Sequence, residues 1–481
     1  MVLDQTTLFV ILLGAPAAGA AISLLPRDGI EVLASLVSAA ISVAVSVLFF
    51  LLGTTGTFGY FYADGLTRVM AVTISAVFFT SVAYSVFYIK RIKEPFIRFR
   101  WYYSLVDLFA FTMLLAVTVN DLGFVWIAIE ATTVTSALLV ALEREKTSIE
   151  AAWRYTLIVS AGLVASLLSV ILVYYSQGTL SISDLMVKTP ASTLLMAIAV
   201  GFALVGYGTK AGIAPMHAWL PDAHSEAPSP VSAMFSGILL PTSIYALVRT
   251  FGLLQGSSVF GPMQNLLIGF GIFTALLAAV IMGYQRNYKR MLAYSSMENM
   301  GIILVGFALG GVGAFGAVVQ IIAHAFGKSS AFYEAGNVLV AYNSKSMAEV
   351  QGVAKKLKVS GYLFTLSCLS VTGAPPFGVF VGEFMILSQA LSSGNFLLAI
   401  LLAVAYMYAF IGLNKQAIQM IFGQQSLASE SEAGPESPHE PIAQRENWIS
   451  VALPFANLLI SLIIGVYMIP LVLQAATGFG L

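Results

Sequence analysis

The stretch Leu194-Leu-Met-Ala-Ile-Ala-Val-Gly-Phe-Ala-Leu-Val-Gly-Tyr-Gly-Thr-Lys210-Ala-Gly-Ile-Ala-Pro215 decides how this chain is read. Residues 194–207 carry no charge, as expected of a segment entering a hydrocarbon core about 30 Å thick. A lysine then stands at position 210 and a proline at 215. A charge inside a bilayer costs roughly 2.5–3.5 kcal/mol on the insertion scale. An interior proline removes a backbone hydrogen bond and clashes with the preceding turn. A segment carrying both is not a plain membrane anchor. Three more charges sit inside apolar runs: Glu130 within 124–142, Lys328 within 317–340 and Glu383 within 378–390. Four such groups cost on the order of 10 kcal/mol, comparable to the net stability of a whole domain. They read as a charge path through a membrane.

Composition agrees. Of 481 residues, 58% are hydrophobic and only 10% charged, and the mean hydropathy is +0.89. Soluble domains carry about 25% charged residues, so the chain is read as an all-α polytopic membrane protein. The first apolar stretch lacks a basic leader region and is followed at once by another span, so no signal peptide is expected. The single cysteine, Cys368, excludes a disulfide, a zinc site or an iron–sulfur cluster ligated by this chain alone.

Windows of about 20 apolar residues place fourteen spans at 7–25, 31–52, 66–89, 103–119, 122–142, 153–175, 192–212, 230–250, 265–283, 298–312, 315–341, 360–390, 395–422 and 449–473. With both termini outside, eighteen of the 23 basic residues fall in inner loops. Only Arg68, Lys188 and Arg249 are then outer, and Lys210 and Lys328 remain in the membrane. Such a bias is the positive-inside signature of a cytoplasmic membrane protein with an even number of spans. Residues 423–448, acidic and rich in Ser and Pro, are expected to be a disordered cytoplasmic loop.

Two spans are interrupted by proline: the seventh at Gly-Ile-Ala-Pro215 and the twelfth at Thr372-Gly-Ala-Pro-Pro376. Breaks at membrane depth need neighbours or water to satisfy the freed backbone groups. Discontinuous helices in corresponding positions point to a transport site between inverted repeats. Being five spans apart, the two run in opposite directions. The expected units are 1–102 (three spans), 103–250 (spans four to eight), 265–422 (spans nine to thirteen) and 449–481 (the last span).

Burial disfavours the charged form of any ionisable side chain, and a nearby opposite charge decides which form holds. Glu130 paired with Lys210 would keep the lysine charged, and withdrawal of the glutamate would release its proton to the next site. His324 and Lys328, four apart, share one helix face. His324 reads either as a hydrogen-bonded core residue or as a proton relay. The expected route runs from Glu130 and Lys210 through Lys328 and His324 to Glu383. Asp107, near the inner end of the fourth span, reads as an anchor or an auxiliary group, and Glu334 lies on another face from Lys328. His217, Asp222, His224 and Glu226 lie in a Pro-rich segment without zinc-like spacing, so a gating or structural loop is expected rather than a metal site.

The segment Lys210-Ala-Gly-Ile-Ala-Pro-Met-His-Ala-Trp-Leu-Pro-Asp-Ala-His-Ser-Glu-Ala-Pro228 resembles the signature of antiporter-like membrane subunits. These occur in respiratory complex I, Mrp sodium/proton antiporters and group 4 membrane-bound hydrogenases. Lys289-Arg-Met-Leu-Ala-Tyr-Ser-Ser-Met-Glu-Asn-Met-Gly301, His324-Ala-Phe-Gly-Lys328 and Gly373-Ala-Pro-Pro-Phe-Gly-Val-Phe-Val-Gly-Glu-Phe384 extend the likeness over about residues 100–420. The resemblance implies about fourteen transmembrane helices, two inverted five-helix repeats and broken helices 7 and 12. It implies ion-translocating roles for Glu130, Lys210, His324, Lys328 and Glu383. Pro241 departs from the pattern, since many members have lysine there. The link between Lys210 and the eleventh span must then use water or other polar groups.

The resemblance also implies a subunit that moves H⁺ or Na⁺ in a lipid bilayer beside other membrane subunits and peripheral redox subunits. Iron–sulfur and nickel–iron centres would lie in those partners, with no cofactor in this chain and no nucleic acid partner. The hydrogenase type is the nearest likeness, and an Mrp-type antiporter subunit is the other reading.

Overall fold

The computed structural model describes residues 5–53, 55–188, 193–423 and 446–467. Among the described residues, thirteen helices are long and apolar enough to cross a membrane. They are Gln5–Ser23, Ile30–Leu52, Gly65–Arg91, Phe99–Thr118, Leu122–Glu143, Lys146–Gln177, Thr193–Ala211, Ser229–Gly252, Phe260–Met282, Tyr288–Leu309, Gly311–Tyr342, Phe396–Phe422 and Trp448–Val466. One more crossing consists of two half-length helices, Lys358–Val371 and Gly378–Ser392, and stands twelfth in chain order. The expected disordered loop falls, for residues 424–445, outside the described residues, as does the end of the last span beyond 467.

Several span edges differ from the sequence reading by four residues or more, the start of the tenth most of all. The twelfth span is two helices parted at the expected break, 372–377. The tenth begins at Tyr288 rather than 298, because Asn287 caps it by accepting the backbone N–H groups of Lys289 and Arg290. Lys289, read as a loop residue, is fully buried, and its Nζ donates to the Ala227 carbonyl over 2.5 Å. This shift carries Glu298 from a span edge to the middle of a helix.

The eighth and tenth spans form the centre, with apolar windows 100% and 94% buried. The second, sixth, thirteenth and fourteenth present most of their apolar surface outward, as lipid-facing helices do. Small residues let backbones approach closely where spans cross. A Cβ on Gly301 would stand 2.5 Å from the Gly271 carbonyl, and one on Gly206 would stand 2.4 Å from the Ser166 nitrogen. The central eighth span contains a π turn, Phe235–Leu239, immediately before Pro241. Pro241 has no N–H to offer the carbonyl one turn back, and a widened turn absorbs the missing bond.

Arg68 and Arg249 are not loop residues. Both lie on helices and are buried. Asp64 caps the third span through the Thr67 N–H at 2.9 Å, and its two oxygens each meet an Arg249 guanidinium nitrogen at 2.6 Å. A short hairpin, Gly56–Phe58 paired with Phe61–Ala63, lies beside this pair, and its Phe61 ring stacks on Phe9.

Candidate ion-translocation site

The two broken spans share one local design. Gly212 and Gly373 hold φ of +77° and +73°, a region that favours glycine. One residue later, the Ile213 N–H reaches back to the Gly208 carbonyl at 2.8 Å and the Ala374 N–H to Leu369 at 3.1 Å. Beyond each break the chain turns again, Met216 to Ile213 and Phe377 to Ala374. Groups freed by the breaks find partners in neighbouring elements. Trp219 donates to the Thr209 carbonyl, the Ala214 N–H to the Thr274 hydroxyl, and Asn299 to the Val371 carbonyl.

Lys210 is fully buried beside the first break. Its Nζ donates to Thr133 Oγ1 at 2.8 Å and Tyr155 OH at 2.7 Å, and stands 4.8 Å from the Tyr155 ring centroid. The expected ion pair with Glu130 is absent as a direct contact. Glu130 accepts from the Ser160 hydroxyl at 2.7 Å, leaves its other oxygen unpartnered, and acts on Lys210 only through space. The neutral oxygens of Thr133 and Tyr155 fill the coordination that a carboxylate was expected to take.

Lys328 and His324 lie one turn apart on the eleventh span, both fully buried. Lys328 Nζ donates to the Leu292 carbonyl at 2.8 Å. The His324 ring nitrogens have no hydrogen-bond partner. The structure brings a further imidazole into this interior. His224, read as part of a loop, sits on the helix Leu220–Glu226, fully buried and with both ring nitrogens unpartnered. Its ring centroid is 6.2 Å from Trp219 and 5.6 Å from Phe235, and each of those rings also contacts Tyr155. His224 also stands 5.9 Å from the Phe332 ring, one turn from Lys328 on the eleventh span, so it lies between the Lys210 and Lys328 sides. Ser236, in the π turn, and Ser296 place hydroxyls 2.6 Å apart, and Ser296 donates to the same Leu292 carbonyl that Lys328 uses.

Glu383, on the second half of the twelfth span, is buried against Gly373, where an added Cβ would fall 2.0 Å from its Oε2. A second carboxylate, Glu298, lies nearby. Its Oε2 accepts from Asn299 at 2.8 Å, and Asn299 Oδ1 accepts from Gln320 at 2.8 Å. Gln320 in turn neighbours Glu383. Glu298 Oε1 and Gln320 Oε1 are buried without partners. Sequence reasoning missed Glu298 as a site residue. The available signal was a charge eleven residues past the Asn287 cap, deep in an otherwise apolar helix.

The other candidates separate. Asp107 is fully buried and accepts from the Ser35 and Ser38 hydroxyls, tying the second span to the fourth. Asp222 pairs with Arg290 and, at 3.6 Å, with Arg154, while Glu226 pairs with Lys345 at 2.9 Å. His217 stands apart, its ring 6.5 Å from that of Tyr294. Asp107, Asp222 and Glu226 thus tie elements together, and these residues do not form one cluster. Glu334 is fully buried and accepts from Asn337 at 2.8 Å.

The fold and the line of buried charges between broken helices define a class: a polytopic helical membrane protein with an ionisable interior. Residues 119–427 match the family described as NADH:quinone oxidoreductase/Mrp antiporter, transmembrane, and the chain belongs to that family. It is 32% identical over 482 residues to the hydrogenase-4 component F homolog of Methylacidiphilum infernorum, covering 95% of this chain and 97% of that one. Its fold is similar to a chain of the archaeal membrane-bound sulfane sulfur reductase, a respiratory membrane complex. The TM-score is 0.86 at 21% identity, over 99% of this chain and 97% of that one. A chain of the Mrp complex from Dietzia sp. gives 0.82 at 20% identity, over 99% and 97%.

Proposed function

We propose that this chain translocates ions, protons in the first place, as a membrane subunit of a complex I-related redox assembly of the hydrogenase-4 kind. The observation that carries the reading is the holding of Lys210 and Lys328. Both are fully buried, and both bond to neutral oxygens rather than to a carboxylate. A lysine held this way gives up its proton without leaving a stranded partner charge. The proposed route starts at Glu130 and Lys210 and crosses the Pro241 gap by His224 or the Ser236–Ser296 pair. It continues through Lys328 and His324 and ends at Glu298 and Glu383. Spans four to eight and nine to thirteen are the proposed inverted units, which the matching breaks support. Redox chemistry would take place in partner subunits, and the basic loops would face the cytoplasm of a prokaryotic cell.

The likeness to the Mrp complex favours a second reading, a subunit of a multi-subunit sodium/proton antiporter. One experiment tests both. The intact complex is purified, its partners are identified, and it is reconstituted in vesicles with Lys210→Ala beside the unchanged protein. Redox partners and ion transport lost in the variant are expected. Small antiporter partners alone would favour the second reading, and transport retained by Lys210→Ala would overturn the proposed route.

A further inference from the structure

A cavity of about 290 Å³ lies where the third, eleventh, twelfth and fourteenth spans end, on the side of Lys355, Lys356 and Lys358. Asn337, Ser360, Glu446 and Ser450 line it, with Phe87 and Leu357 as apolar walls. Asn337 forms its floor. The Asn337 amide shares its hydrogens among Ser360 Oγ at 3.2 Å, the Ser450 carbonyl at 2.9 Å and Glu334 Oε2 at 2.8 Å. Its carbonyl oxygen accepts from Tyr84 at 2.9 Å. Glu334 thus sits one side chain below the cavity. It is fully buried, its Oε1 is unpartnered, and the charged group acting on it is another carboxylate, Glu446. One of its oxygens is therefore left free to take a proton.

A polar stripe continues inward from that point. Ser330 lies one turn from Glu334 on the same face of the eleventh span, and its hydroxyl is 2.7 Å from that of Ser367 on the twelfth. Three residues on, Ser370 meets Ser461 at 3.0 Å, and the adjacent Val371 carbonyl accepts from Asn299 at 3.2 Å. Asn299 is the residue that bonds Glu298 and Gln320.

We propose that this cavity is a proton inlet belonging to the second half of the molecule. A hydronium ion reaching the cavity from bulk solvent protonates Glu334 and leaves water behind, and the proton passes along the Ser330–Ser367 stripe, with water bridging its inner end, to Glu298 and Glu383. Glu383 is then loaded without crossing the gap at Pro241. The proposal rests on the ion-translocating reading but adds an entrance that Glu130 and Lys210 do not serve.

The test uses the reconstituted complex with Cys368→Ser, which removes the chain's single cysteine, and Leu357→Cys in the cavity wall. A cationic, membrane-impermeant methanethiosulfonate is added from the basic-loop face or from the opposite face. Labelling from the basic-loop face only is expected, with transport falling at least fivefold and recovering when dithiothreitol removes the label. Glu334→Gln should lower transport at least fivefold while complex assembly is unchanged, and Glu334→Asp should restore part of it. Equal labelling from the opposite face overturns the inlet. So does normal transport by both the labelled protein and Glu334→Gln. An unmodified complex that moves no ions refutes the translocation reading instead, and labelling still reports whether the cavity is open to water.

Discussion

Lys210 is held by Tyr155 twice over: its Nζ donates to the phenol oxygen at 2.7 Å and stands 4.8 Å from the ring centroid. The amine is thereby positioned by a neutral side chain on the neighbouring sixth span. Tyr155→Phe keeps the ring and removes one hydrogen bond to a charged group, an interaction of about 1.5–3 kcal/mol. Transport measured in vesicles is expected to slow about tenfold or more with the fold intact. An unchanged rate would show that the phenol oxygen plays no part in holding the lysine.

Asn299 joins Glu298 to Gln320, the neighbour of Glu383. Glu298→Gln keeps the shape and the Asn299 contact but removes an ionisable group. Proton uptake should drop at least about fivefold, since 1 kcal/mol already changes a rate by roughly that factor. Asn299→Leu should do the same by breaking the link to Gln320. Normal uptake in both variants would place Glu298 outside the route.

Gly373 faces Glu383 at φ +73°, with an added Cβ falling 2.0 Å from Oε2. Gly373→Ala is expected to lose about 2–5 kcal/mol from backbone strain and the clash combined. Gly394 has nearly the same φ, +74°, but open space around it. Gly394→Ala should therefore cost only about 1–2 kcal/mol. Thermal unfolding of the two variants separates the clash from the strain, and equal losses would refute the contact.

Asp64 and Arg249 clamp the third span to the eighth, and removing one partner of a buried pair costs about 3–5 kcal/mol. Burial alone would raise the Asp64 carboxyl, but the Arg249 guanidinium outweighs it and holds it below the usual carboxylate range. The clamp is therefore complete above the unfolded value of about 3.9 and is lost only as pH falls through the lower folded value. The unfolding difference between Asp64→Asn and the unchanged protein should be flat from about pH 5 to 8 and shrink below about pH 4. A difference that disappears nearer neutrality would mean that the pair does not depress Asp64.

Much of the site was legible because hydrocarbon punishes charge. Glu130, Lys210, Lys328 and Glu383 each interrupt an apolar run, and each is buried or partly buried among helices. The broken spans were equally plain, since glycine followed by proline leaves few other conformations. Glu298 escaped because Lys289 and Arg290 made the start of its helix look like loop. Lys289 reaches the Ala227 carbonyl, a partner 62 positions away that no local pattern reveals. His224 was a gating or auxiliary candidate in a loop, and nearby prolines disguised the short helix that turns it inward.

By itself, the sequence determined the class, about fourteen crossings and four of the charged residues inside them, Glu130, Lys210, Lys328 and Glu383. Those follow from the local transfer energies of side chains and of backbone groups without partners. Only the tertiary structure decided which groups meet. It gave Lys210 a tyrosine in place of Glu130, turned His224 and the Ser236–Ser296 pair into the buried interior, and joined Glu298 to the surroundings of Glu383. It also put Glu334 beneath a cavity at the basic-loop side. These pairings depend on how helices far apart in sequence rotate and cross, and close contacts such as that of Gly271 with Gly301 fix that geometry.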